Sequence, residues 1–264
     1  MGYPAGLHLI ARPAADPSAP ACILVHGSLD RAESFQRVMR RLPDMTLLAY
    51  DRRGYQRSRD AGVVDMGGHM DDLLSIAAEL RRQTSGTVSA IGHSLGGDVV
   101  VGAAIAEPRA LDSIGAFEPP MPWLGFRRTE PGDDRPRQWT PIAEDPGDEA
   151  ERFFGRMVSP TAWQRLSAAG KAARRADGPA LVADLTSFRG AAPFDVTALD
   201  VPVVFGMGGL GAPHHRQGVT WLGANVPGAQ AIEIEGAHHG AHLSHPDHFA
   251  EFVRQVVRRA DGPI

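Results

Sequence analysis

Short apolar runs alternate along this chain with segments whose apolar residues recur every three or four positions. Compact runs of four to eight apolar or β-branched residues mark strands, whereas the longer period marks helices that bury one stripe. Seven runs read as strands: Leu7 to Ala11, Cys22 to Val25, Thr46 to Tyr50, Val88 to Ile91, Ser113 to Phe117, Val201 to Gly206 and Ala231 to Ile234. Between them, Met66, Met70, Leu73, Leu74, Ala77 and Leu80 form one stripe on a helix from Met66 to Gln83, and a second helix, Val99 to Ala106, follows a glycine turn. Strands alternating with helices predict an α/β fold whose central sheet is mostly parallel and flanked by helices.

The alternation breaks after Glu118. Pro119 to Gly147 is rich in proline, glycine and charge and reads as loop. Three helical stretches follow, Asp148 to Val158, Pro160 to Arg175 and Gly178 to Phe188. Phe153, Phe154, Met157, Trp163, Leu166, Leu181 and Leu185 are available for one apolar face. The expected division is a core of residues 1–118 and 196–264, with residues 119–195 inserted as a helical lid.

A chain of 264 residues with 43% hydrophobic positions can build one large core. Twenty-seven basic residues nearly balance 31 acidic ones, giving a net charge of -4, and no block of like charge offers a nucleic-acid arm. The single cysteine, Cys22, excludes a disulfide framework and reads as an inert thiol in a buried strand. The start has neither the basic residues nor the apolar stretch of a secretory signal, and no run approaches the roughly 18 apolar residues of a membrane span. A cytoplasmic protein acting on a small molecule, without nucleic-acid or membrane partners, is expected.

Candidate chemistry centres on Gly92, His93, Ser94, Leu95, Gly96 and Gly97, where a serine sits between glycines directly after a strand. A serine on a sharp strand-to-helix turn needs small neighbours two residues to either side, and Gly92 and Gly96 supply them. Its hydroxyl needs a base, and the base needs a carboxylate to hold its tautomer. The segment from Glu235 to Phe249 carries His238, His239, His242, His245 and His248. No HExxH pattern or cysteine pair accompanies these imidazoles, so no metal is assigned. Gly206, Gly208, Gly209 and Gly211 resemble a dinucleotide fingerprint only superficially. Pro213 and two histidines follow them, and no acidic residue lies at the ribose distance. No cofactor is assigned, and the glycine run reads as a flexible loop.

Four segments together resemble the serine hydrolases of the α/β-hydrolase fold. They are His26-Gly27-Ser28 within HGSLDRAESF, the run Tyr50 to Tyr55 (YDRRGY), GHSLGG around Ser94, and GAHHGAHLSHP near the end. The resemblance implies Ser94 as nucleophile, His239 as base, and the backbone N–H groups of Leu95 and Ser28 as the oxyanion hole, with Leu29 replacing Ser28 if the loop bends one residue later. His238 stands where the family usually has glycine and is a competing base; the register that places Pro246 at the start of the next helix selects His239. Val201 to Gln230 contains no aspartate or glutamate, so the family's common acid position is empty. The alternative position, after the sixth strand in the family's count and just before the lid, falls on Glu118; Glu233 and Glu235 are poorer candidates. His26, Asp51 and Arg52 read as structural, the imidazole pinning its loop and the other two supplying an ion pair and a turn. The implied activity is hydrolysis of a small or medium apolar carboxylic ester through an acyl-enzyme. Lactone or thioester hydrolysis, carbon–carbon bond hydrolysis, cofactor-free cyclisation and non-catalytic ligand binding remain open.

Overall fold

The structure is a computed structural model and describes residues 2–126, 140–189 and 191–262. Among these, seven strands form one sheet: β1 (Leu9–Arg12), β2 (Ala21–Val25), β3 (Thr46–Tyr50), β4 (Val88–His93), β5 (Ser113–Phe117), β6 (Val203–Gly208) and β7 (Gln230–Ile234). Their order is β1-β3-β2-β4-β5-β6-β7. Only β1 runs antiparallel, pairing Leu9 with Tyr50.

Among the described residues, ten α-helices connect and flank these strands: α1 (Gln36–Met39), α2 (Met66–Gln83), α3 (Leu95–Ala106), α4 (Pro146–Met157), α5 (Pro160–Arg165), α6 (Ala168–Ala176), α7 (Gly178–Ser187), α8 (Pro213–Asn225), α9 (Ala241–Ser244) and α10 (Pro246–Arg258). Each face of the sheet has its own core. Leu73, Ile76, Val99, Val100, Val219 and Leu222 from α2, α3 and α8 pack on one face. Val38 and Met39 of α1 and Phe249, Phe252, Val253 and Val256 of α10 pack on the other. Burying both faces is what allows β2 to be apolar along its whole length.

Three of the differences from the expected elements have a direct local cause. Leu7 lies in a turn, its N–H bonding the carbonyl of Pro4, so β1 begins at Leu9. Pro202 has no N–H to donate and only accepts, from Ile114, so β6 begins at Val203 and extends through Gly206 to Gly208. The helix expected over Pro160 to Arg175 is two helices. Leu166 is extended (ψ 143°), and the Ser167 hydroxyl accepts from Gly170 N–H at 3.1 Å, capping a new start. The loop expected over Pro119 to Gly147 lies partly outside the described residues, at 127–139.

The chain runs outward from β2 to β3, then returns to place β4 on the other side of β2. In open parallel sheets, the carboxyl ends of the strands at such a reversal leave a crevice where ligands bind. Here those ends carry His26-Gly27-Ser28 and Ser94.

Candidate active site

Ser94 joins β4 to α3 with φ 54° and ψ -130°, a backbone conformation that costs an L residue about 1–3 kcal/mol. Two glycines make this turn possible. A Cβ on Gly92 would lie 2.0 Å from the carbonyl oxygen of Gly96, and one on Gly96 would lie 2.3 Å from that of Val25. The serine is thereby lifted to the carboxyl edge of the sheet and is partly exposed, with its N–H bonded to the Phe117 carbonyl at 2.9 Å. Leu95 opens α3, so its N–H has no carbonyl partner within the helix.

The parallel register pairs His93 with Phe117, so the residues that follow, Ser94 and Glu118, leave the sheet side by side. Glu118 is fully buried and also has positive φ, 46°. Its Oε1 accepts from Gly208 N–H at 2.8 Å, and its Oε2 lies 2.5 Å from His239 Nδ1. A Cβ on Gly211 would come within 2.4 Å of Glu118 Oε1. The glycine run is therefore a wall folded tightly around the carboxylate. Its amides are spent in order, Gly209 on Ile234, Leu210 on Ala237 and Gly211 on Gly208, which replaces the expected flexible loop.

His239 is fixed a second time through its backbone, because its carbonyl accepts from His93 Nε2 at 2.8 Å. His93 packs against it with the rings tilted by 46° and 4.6 Å between centroids, and His215 stacks on it at 4.6 Å with the rings 14° apart. His238, one residue earlier, turns outward and bonds the Leu210 carbonyl through Nδ1 at 2.8 Å. Glu233 is at the surface with Arg216, and Glu235 is exposed. The sequence-derived residues Ser94, Glu118 and His239 thus lie at one end of β4, β5 and β7.

The loop after β2 turns at Leu29 (φ 54°). His26 is buried beneath it. Its Nδ1–H donates to the Gly27 carbonyl at 2.7 Å, its Nε2 accepts from Arg52 N–H at 2.8 Å, and its own carbonyl accepts from Arg52 Nε at 3.0 Å. Burial, with the Arg52 charge adding to it, pushes the imidazole down to about 3, so it stays neutral. Asp51 accepts from the amides of Ala32 and Arg57 and holds the turn.

Arg52 does not pair with Asp51. Its guanidinium forks onto Asp184 of α7 at 3.1 and 2.8 Å, both groups being buried. Asp184 also accepts from Tyr55 hydroxyl at 2.5 Å and from Ser28 Oγ at 2.7 Å. The Ser28 hydroxyl is therefore turned to α7. Burial by itself would raise the Asp184 carboxyl, but the Arg52 charge and hydrogen bonds outweigh it and hold the group well below the usual carboxylate range.

Sequence reading missed Asp184 and His215. The first is signalled only as an acid in the apolar helical run GPALVADLTS, and the second only as part of the His-His pair after the glycine run. Among the described residues, two clusters have donors spaced for a metal ion, Glu118 with His215 and His239, and Asp30 with His93 and His242.

A sheet with one reversal, a serine on a strained strand-to-helix turn, and a carboxylate–imidazole pair beside it define an α/β-hydrolase fold. The chain belongs to the alpha/beta hydrolase family, whose model matches residues 22–252. It is similar to Lipase LipV of Mycobacterium tuberculosis, 31% identical over 115 residues, which span 43% of this chain and 43% of that protein. Solved structures with the same fold include a thermophilic esterase from Thermogutta terrifontis (TM-score 0.69, 18% identity, 96% of this chain and 93% of that one). Others are a bromoperoxidase from Bacillus anthracis (0.70, 15%, 96% and 95%) and the enol-lactonase from Burkholderia xenovorans LB400 (0.68, 17%, 96% and 96%). Among the described residues, no helix is long and apolar enough to cross a membrane.

Proposed function

We propose that the protein is a serine hydrolase that cleaves small or medium apolar carboxylic esters through an acyl-enzyme. The observation that carries this reading is the 2.5 Å contact between Glu118 Oε2 and His239 Nδ1, made across 121 residues of sequence beside a serine held at φ 54°. With its proton kept on Nδ1 by Glu118, His239 presents a bare Nε2 to Ser94. Ser94 Oγ attacks the ester carbonyl carbon as His239 takes its proton, and the carbonyl oxygen becomes an oxyanion held by the N–H groups of Leu95 and Ser28. The intermediate collapses, the alcohol leaves with the proton from His239, and water releases the acid by the same sequence. Helices α4 to α7 form the lid, clamped to the core by Asp184 beside the oxyanion loop.

A fluorophosphonate probe tests this directly. The folded protein is expected to form one adduct, on Ser94, and to turn over short aryl esters, and Ser94→Ala abolishes both. A substrate panel of esters, lactones, thioesters and β-diketones then assigns the bond cleaved. Absence of both adduct and turnover in the folded protein would overturn the hydrolase reading in favour of ligand binding.

A further inference from the structure

Beside the proposed machinery, Asp30, His93 and His242 bring three donor atoms within 4.8 Å of one another. They come from three segments, the loop after β2, the end of β4, and α9. Asp30 lies two residues after Ser28, His93 directly before Ser94, and His242 three residues after His239. His242 Nε2 is 3.2 Å from Asp30 Oδ2, and the two imidazole rings are 4.3 Å apart between centroids.

The nitrogens of this cluster are not all spent. Nδ1 of His93 and Nδ1 of His242 are buried without a hydrogen-bond partner, an arrangement proteins rarely leave unfilled. His93 must carry its proton on Nε2 to donate to the His239 carbonyl, so its Nδ1 is a bare lone pair. Two imidazoles and a carboxylate are the donor set of zinc-class ions, and oxygen-seeking magnesium or calcium would not select it.

We infer that Asp30, His93 and His242 bind one divalent transition-metal ion of the zinc class. The ion takes a carboxylate oxygen of Asp30, Nδ1 of His93 and one ring nitrogen of His242, and a water completes four-coordination. It ties together the three segments that carry Ser28, Ser94 and His239, so its role is to brace them. This site revises the sequence-based expectation of no metal, and it stands on its donors whatever bond the protein cleaves.

The test uses the full chain, stripped with a chelator, dialysed, and titrated with zinc chloride by calorimetry, with cobalt chloride as the optical probe. One ion per chain is expected to bind, with visible cobalt d–d bands. At a hundredfold excess of free zinc over Kd the Tm should rise by about 5–10 °C. Asp30→Asn and His242→Gln should each weaken binding at least about tenfold, as loss of a ligand requires, with circular dichroism reporting their folding. His215→Gln, which breaks the other carboxylate–histidine cluster, should leave binding unchanged. Should either ligand variant fail to fold, X-ray absorption of the zinc-loaded parent and of His215→Gln decides, with two imidazoles expected in both first shells. Failure to bind stoichiometrically, binding that survives in folded Asp30→Asn and His242→Gln, or loss of the imidazole shell in His215→Gln would overturn the site.

Discussion

Two adjacent histidines receive opposite surroundings, and that difference carries the proposed chemistry. His239 has a buried carboxylate on Nδ1 and an imidazole on each side, whereas His238 bonds only an exposed turn carbonyl. His238→Gln should therefore leave ester turnover close to that of the parent, while His239→Gln lowers kcat by at least ~10³-fold. Steady-state kinetics on both variants check this, and the reverse ranking would move the base to His238. Glu118→Gln should lower turnover by at least ~10²-fold while the fold survives. Its side-chain oxygen can still accept from Gly208, but its amide N–H₂ now faces His239 Nδ1 and favours the tautomer with the proton on Nε2, where it cannot accept from Ser94. A Glu118→Gln variant as fast as the parent would remove Glu118 from the proposed triad. The family resemblance implied Glu118 through the alternative acid position; its burial and the glycine wall around it emerge once β5, β6 and the loop after β7 are brought together.

Helix α7 is held to the core by two buried acids, one near each end. Asp177, at its start, accepts from Gln56 N–H and pairs with Arg59 at 2.5 Å. Asp184 gathers Arg52, Tyr55 and Ser28, with His69 3.4 Å away. An Asp184→Ala change strands a fully buried guanidinium, whose desolvation is then uncompensated, and should cost about 3–5 kcal/mol. Urea unfolding of parent and variant measures it, and a loss below about 1 kcal/mol, the usual size of a surface pair, would show that the network is not a structural clamp. The same helix illustrates what periodicity conveys. Its apolar stripe announced a helix, but a single acid within that stripe gives no sign of which of the chain's arginines it will meet.

For the molecule as a whole, burial of neutral imidazoles sets the acid limit. His26, His69 and His93 are all shifted downward, first by burial, with Arg52 adding to the shift of His26 and His69 and neighbouring histidines to that of His93. Once unfolded, each would titrate near 6.5. Between that value and the lower folded one the unfolded chain binds more protons, so stability rises with pH and is lost on acidification. His26, held down to about 3, contributes up to about 1.4 kcal/mol per pH unit below 6.5, and His69 and His93 add to the slope in the same direction. Urea-derived stabilities at pH 7, 6 and 5 should show this slope, and His26→Gln should reduce it by about 1.4 kcal/mol per unit. A flat profile would mean that these rings are protonated in the folded chain.

The sequence by itself determined the alternation of strands and helices, the strained serine turn and the interruption after Glu118, because each depends on residues near one another along the chain. Gly92 is legible for that reason: the clash it avoids, with the Gly96 carbonyl, is set by the strand-to-helix turn itself, whereas Gly96 makes room for the Val25 carbonyl of neighbouring β2. Tertiary structure alone decided which acid meets His239, which way His238 turns, what Arg52 pairs with, and that His215 and His93 pack against His239. Those relations span tens to over a hundred residues. They are set by sheet order and register, which a one-dimensional hydrophobic pattern constrains only as far as the identity of each strand.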